Sequence, residues 1–268
     1  MNITKNKNDR SKVKVTNIGE NILGPETDFD TVETYKAIRT NVMFAIPKKE
    51  AGRSIVVTSA SPGEGKSTTS VNLAITFAQA GLKTIIVDCD LRKPSVHRYL
   101  FLERKDGVSN VVCGFTQLED AIKGNVRPCL DVLTAGQIPP NPSELLESEE
   151  FAKMLRKLEE IYDYIIIDTP PITIVTDASV VMKQSSGVIV SVWQDVTTFD
   201  LLDIAVDAIN SSGTKILGAV VHGCEDKHKK YGYYQKGKYK YKYGYKYGYR
   251  YKYNYKYEDS SGGGTTSK

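Results

Sequence analysis

One decapeptide restricts the possible folds of this chain more than any other feature. SASPGEGKST (59–68) follows without a break on the apolar run SIVVTS (54–59) and opens a helically periodic stretch, 66–80, that ends at Gly81. A strand that feeds a glycine-rich turn, which feeds a helix, aims backbone N–H groups and a helix N-terminus at an anion. Gly63 and Gly65 let the backbone curl around phosphate oxygens, Lys66 can reach the outer phosphates, and the Ser67 hydroxyl suits Mg²⁺. Ser61, Pro62, Gly63, Glu64, Gly65, Lys66, Ser67 and Thr68 are therefore the candidate nucleotide-phosphate loop. Ala60 stands where the GxxxxGK[ST] pattern has its first glycine, a mild departure because GKST is intact.

The rest of the text alternates in the same way. Apolar runs at 84–88, 130–134, 164–168, 187–192 and 215–221 read as strands, separated by helical stretches near 94–101, 108–123, 143–160, 177–184 and 199–211. The runs are apolar on both faces, as in a parallel sheet covered on both sides. The expected fold class is α/β: a P-loop NTPase-type, mostly parallel sheet with helices on both faces. Ahead of it, Asp30 three residues before Glu33 suggests a capping box, and Pro47 would stop the helix expected at 31–46. The expected organisation is an arm at 1–28, a domain at 29–226, and a flexible, disordered tail at 227–268.

The tail is set apart by composition. Residues 227–257 hold eleven of the 36 Lys/Arg and no Asp/Glu, so the remainder has 25 basic and 32 acidic residues, a net of −7. Thirteen of the seventeen tyrosines also lie there: Tyr231, Tyr233, Tyr234, Tyr239, Tyr241, Tyr243, Tyr245, Tyr247, Tyr249, Tyr251, Tyr253, Tyr255 and Tyr257. Tyr35, Tyr99, Tyr162 and Tyr164 read instead as packing residues. The four cysteines and three histidines have no metal-ligand spacing and are consistent with reduced thiols. The polar, basic N-terminus lacks the apolar core of a signal peptide, and no run approaches the ~20 residues that span a bilayer.

Two more strand ends carry acids. In VDCDLRKP (87–94), Asp88 and Asp90 can accept a hydroxyl proton or hold magnesium through water. In YDYIIIDTPP (162–171), an apolar strand delivers Asp168 beside the loop, where a Walker-B acid serves magnesium. With PPNPSELL (139–146) and ETYKAIRTN (33–41), these segments resemble the bacterial tyrosine kinases of capsule and exopolysaccharide operons, the CpsD/CapB type, over roughly 30–225 plus the tail. The resemblance implies an ATP- and Mg²⁺-dependent protein-tyrosine kinase that autophosphorylates the tail tyrosines in trans and regulates polysaccharide synthesis. It implies Lys66, Asp88 and Arg92 as catalytic, Asp88 as the base, and Ser67, Asp90 and Asp168 as magnesium-positioning. It further implies Glu33, Lys36 and Arg39 as a ring interface, which helical spacing would place on one face. A separate transmembrane activator of the polysaccharide co-polymerase type, a cognate phosphatase and a cytoplasmic location under the membrane complete the expectation. His222 departs from the asparagine usual in that family, which bears on base recognition.

Two other readings stay open on sequence alone. A non-kinase ATPase switch of the partitioning type shares the fold, although such proteins usually carry a lysine where this chain has Ser61. A tail of tyrosine and lysine could also bind single-stranded nucleic acid.

Overall fold

The computed structural model describes residues 21–46 and 52–224. Seven strands form one sheet in the order β3-β4-β2-β5-β1-β6-β7. They are β1 (Arg53–Ser59), β2 (Thr84–Asp88), β3 (Lys123–Arg127), β4 (Leu130–Leu133), β5 (Tyr164–Asp168), β6 (Gly187–Trp193) and β7 (Ile216–His222). All pairings are parallel except β3 with β4. From β1 the chain runs out to β2 and β4, returns to β5, and then continues through β6 to β7, so the direction of progress reverses around β1. The crevice at the carboxyl ends of the strands at such a reversal is where open α/β sheets take ligands.

The strand residues divide by parity between two cores. Ile55, Val57, Ile86 and Ile166 pack under α1 (Phe29–Ala45), α2 (Lys66–Gln79) and α3 (Val96–Tyr99). Val56, Ile85, Val87, Ile165 and Ile167 face the other layer, α4 (Val108–Val112) to α9 (Phe199–Ser212), which includes α5 (Leu118–Ala121), α6 (Pro142–Glu147), α7 (Glu149–Ile161) and α8 (Asp177–Met182). Central strands must therefore be apolar at every position, which is why their runs show no alternation.

Several local expectations change. The N-cap of α1 is Asp28, whose Oδ1 accepts from Thr31 N–H at 2.9 Å, and Asp30 falls inside the first turn. The run 143–160 is two helices, because Ser148 is extended and caps α7 by accepting from Phe151 N–H at 3.2 Å. β3 was not expected at all; KGNVR has no apolar pattern, as suits an exposed edge strand. Residues 21–24, assigned to the arm, contribute to the core: Ile22 and Leu23 are buried, Leu23 N–H donates to Asn72 Oδ1 at 2.8 Å, and Arg127 donates to the Leu23 carbonyl. No helix among the described residues is long and apolar enough to cross a membrane.

Candidate active site

The phosphate loop leaves β1 and closes on α2 through two left-handed glycines, Gly63 (φ +84°) and Gly65 (φ +81°), a conformation costly to any residue with a Cβ. Glu64 braces this loop. Its carboxylate is buried, accepts from Ser61 N–H at 2.9 Å and from Thr197 Oγ1 at 2.7 Å, and its carbonyl accepts from the Ser191 hydroxyl. The Glu64 side chain thus shapes the loop from behind and holds the Ser61 N–H.

Register assembles the acids. Asp88 of β2 is paired with Asp168 of β5, and Asp168 with Val57 of β1, in one row at the carboxyl edge. Lys66, the first residue of α2, reaches across this row. Its Nζ lies 2.8 Å from Asp90 Oδ2, 3.9 Å from Asp168 Oδ2 and 3.3 Å from Ser67 Oγ. Burial opposes the charge on Lys66, but Asp168 and Asp90 outweigh it and raise its pKa. Asp168 is raised, chiefly by burial, and Asp88 is pushed up to about 8 by burial and by the charge of Asp168. The Asp88 carboxylate accepts from the N–H groups of Asp90 (3.2 Å), Ser95 and Val96 (3.1 Å each), which fixes the turn that presents Asp90.

Lys66, Ser67, Asp90 and Arg92 line a cavity of about 280 Å³, whose outer wall includes Tyr99, Pro170, Pro171 and Ile174. Gly65 and Thr68 border a second cavity beside it. Arg92 is held at the rim by two residues that sequence reasoning did not single out. Its Nε and Nη2 donate to Asp177 at 2.8 and 3.0 Å, and Nη2 also reaches Ser143 Oγ at 3.1 Å. Burial alone would raise the Asp177 pKa, but the hydrogen bonds from Arg92 and Ser143 hold it below the usual carboxylate value. The PPNPSELL segment carried the signal for Ser143; Asp177 reads in sequence as an ordinary helix cap.

The three residues expected on one face of α1 separate. Glu33 and Lys36 form an exposed pair at 2.8 Å. Arg39 instead turns onto α2, donating at 2.9 Å to the Thr76 carbonyl in that helix's last turn, where a cation meets the negative end of the dipole. The tail tyrosines, 231–257, lie outside the described residues.

Residues 52–207 match the AAA domain family. The tyrosine-protein kinase YwqD of Bacillus subtilis is 41% identical over 75% of this chain and 85% of its own. The chain belongs to the bacterial tyrosine kinases. Among solved structures, the chimerical protein CapA2B2 superposes with a TM-score of 0.69 at 42% identity, over 74% of this chain and 85% of that one. The tyrosine-protein kinase Wzc of Salmonella typhimurium is 30% identical over 80% of this chain, but the match takes up 30% of Wzc. The fold is a nucleotide-binding one, and the loop at 59–68 lies within the matched residues.

The residues also suit a hard dication. Asp168 Oδ2 is buried without a hydrogen-bond partner, Asp90 and the Ser67 hydroxyl stand close by, and three carboxylates face one ammonium. Mg²⁺ takes oxygen ligands, commonly one or two carboxylates completed by water and phosphate.

Proposed function

We propose that this protein-tyrosine kinase transfers the γ-phosphoryl group of ATP to the tyrosines of its own tail, acting in trans between subunits. The observation that carries the reading is the seating of Lys66 among Asp88, Asp90 and Asp168 at the mouth of the phosphate loop, in a chain whose remaining feature is thirteen clustered tyrosines. Ser67, Asp90 and Asp168 would hold Mg²⁺, which when bound supplies charge neutralisation of the phosphates. Lys66 orients the outer phosphates. Asp88 takes the phenolic proton, its proton affinity raised by burial and by the charge of Asp168. Arg92 positions the rim of the acceptor cavity through Asp177 and Ser143.

The rest of the proposal concerns partners. YwqD matches this chain over most of its length, whereas Wzc carries the matching region within a much longer protein. We ascribe membrane recruitment to a separate transmembrane activator, with regulation of polysaccharide synthesis and a cognate phosphatase completing the system. Glu33 and Lys36 are the exposed candidates for contact between subunits, and each phosphate adds about −1.5 to −2 to the tail, which favours disassembly on heavy modification.

Intact-mass measurement after incubation with Mg-ATP tests the activity. A ladder of phosphates mapped to 231–257, absent in Lys66→Met, is the expected result. An unmodified chain that still converts ATP to ADP, even with the activator's cytoplasmic segment present, would favour the ATPase switch.

A further inference from the structure

Among the described residues, the buried side-chain polar atoms without a hydrogen-bond partner are Arg39 Nε, Ser95 Oγ, His97 Nδ1 and Asp168 Oδ2. Asp168 Oδ2 suits the dication described above. Ser95 Oγ has no role in the reading given so far, yet Ser95 is only 8% exposed and lines the cavity shared by Lys66, Ser67, Asp90 and Arg92. Other buried hydroxyls of the domain are satisfied within the protein. Thr58 donates to the Pro170 carbonyl at 2.9 Å, Ser70 to Asp168 Oδ1 at 3.0 Å and Thr169 to the Val57 carbonyl at 2.9 Å. A buried hydroxyl without such a partner is costly, and one on a cavity wall finds its partner in what the cavity holds.

The backbone fixes where this hydroxyl stands. Ser95 N–H donates to Asp88 Oδ2 at 3.1 Å, so residue 95 is pinned against the carboxylate read above as the base. The Ser95 carbonyl accepts from Tyr99 N–H at 3.3 Å, which sets Tyr99 one helical turn further on, lining the same cavity. Pro170, Pro171, Ile174 and Val175 complete this part of the lining, whereas Gly63, Gly65, Lys66 and Ser67 belong to the phosphate loop. Phosphate oxygens laid on prolines and isoleucine would give up hydration without compensation, but an aromatic ring gains by burial there.

We infer that Ser95 contacts the acceptor: its hydroxyl donates to the phenolic oxygen of the incoming tyrosine, whose ring packs on Tyr99, Pro170, Pro171 and Ile174. The inference rests on the reading of the tail tyrosines as acceptors. In the transfer, the phenolic oxygen bonds the γ-phosphorus as the bond from that phosphorus to the bridging oxygen of ADP breaks. The phenolic proton goes to Asp88, and Ser95 keeps its own. Its part is to hold the attacking oxygen in line beside Asp88.

Ser95→Ala removes the hydroxyl and keeps the N–H that holds Asp88, so it isolates this contact. The full-length parent and variant are each incubated with Mg-ATP and an isotopically labelled Lys66→Met chain. Intact mass then separates phosphates added to the enzyme's own chain from those added to the acceptor. Ser95→Ala should slow both about fivefold to tenfold, the effect of one lost hydrogen bond to the reacting group. Affinity for the β,γ-imido analogue of ATP, by calorimetry, and the Mg²⁺ concentration for half-maximal rate should stay within about twofold of the parent. Ser95→Thr, which keeps a hydroxyl, should transfer within about threefold of the parent, and circular dichroism checks the fold of both variants. The proposal is overturned if Ser95→Ala transfers phosphate as fast as the parent, or if Ser95→Thr is as slow as Ser95→Ala. It is also overturned if affinity for the ATP analogue falls with the rate, which would place the hydroxyl on the phosphates, or if the Mg²⁺ requirement rises with it, which would place it on the cation's water. A parent that adds phosphate to the tyrosines of neither chain would remove the tail reading and this proposal with it.

Discussion

Replacing Lys66 with methionine removes the ammonium seated among Asp88, Asp90 and Asp168. Its Nζ is 2.8 Å from Asp90 and 3.9 Å from Asp168, and only 12% of the side chain is exposed, so water screens the interaction weakly. Stripping one partner from a buried ion pair costs about 3–5 kcal/mol when the other charge stays behind. A proton limits that loss. Protonating an aspartate of ordinary pKa about 3.9 costs about 4 kcal/mol at pH 7 and about 2 kcal/mol at pH 5.5. The destabilisation of Lys66→Met is therefore capped near those values and shrinks on acidification. The sign follows from linkage: the variant's folded carboxyls hold protons more tightly than the unfolded chain does, so the deficit grows as pH rises. Urea unfolding of both proteins at the two pH values, in chelator and followed by circular dichroism, measures the difference. Equal stability at pH 7, or a gap that widens at pH 5.5, would refute the reasoning. Mg²⁺ should restore part of the loss in the variant, since a dication between Asp90 and Asp168 replaces the missing charge.

Arg39→Ala should cost about 1 kcal/mol in unfolding experiments by uncapping the end of α2, whereas Glu33→Ala should cost almost nothing and act on assembly mass instead. Gly65→Ala should abolish ADP binding in calorimetry, through both its left-handed φ and the clash with His222; adding His222→Ala should recover only part, because about 1–2 kcal/mol of backbone strain remains. Burial lowers the His222 pKa below its usual 6.5, so the unfolded chain takes up the proton first and the wild type loses stability, relative to His222→Gln, as pH falls below about 6.5. Thermal unfolding of the two between pH 7 and 5 checks this, and parallel curves would exclude the histidine as the cause.

The helices that sequence reasoning misplaced share one feature. Their boundaries were decided by side chains that bond locally in one of several available ways. Asp28 and Asp30 are both competent caps, and the choice fell to the residue whose neighbours 21–24 are docked on α2. Ser148 looks like an interior helix residue until α6 and α7 are seen to pack as separate elements. β3 is visible only as the partner of β4, because a polar edge strand carries no periodic signal. At the site, spacing along a helix or loop does not specify which of two nearby groups a long side chain will meet, so the bonds of Arg39 to Thr76 and of Glu64 to Ser61 had no sequence signal.

Local chemistry was enough for the phosphate loop, the apolar strands and the acids at their ends. A left-handed glycine turn, an all-apolar strand and a strand-end aspartate each need nothing beyond their immediate neighbours to be recognised. The register that sets Asp88 beside Asp168, the Arg92–Asp177–Ser143 clamp, the turn of Arg39 onto α2 and the stacking of Trp193 against His222 were decided by the tertiary structure alone. Each joins residues from elements far apart in the chain, and their meeting depends on how the sheet orders its strands and stacks its helices.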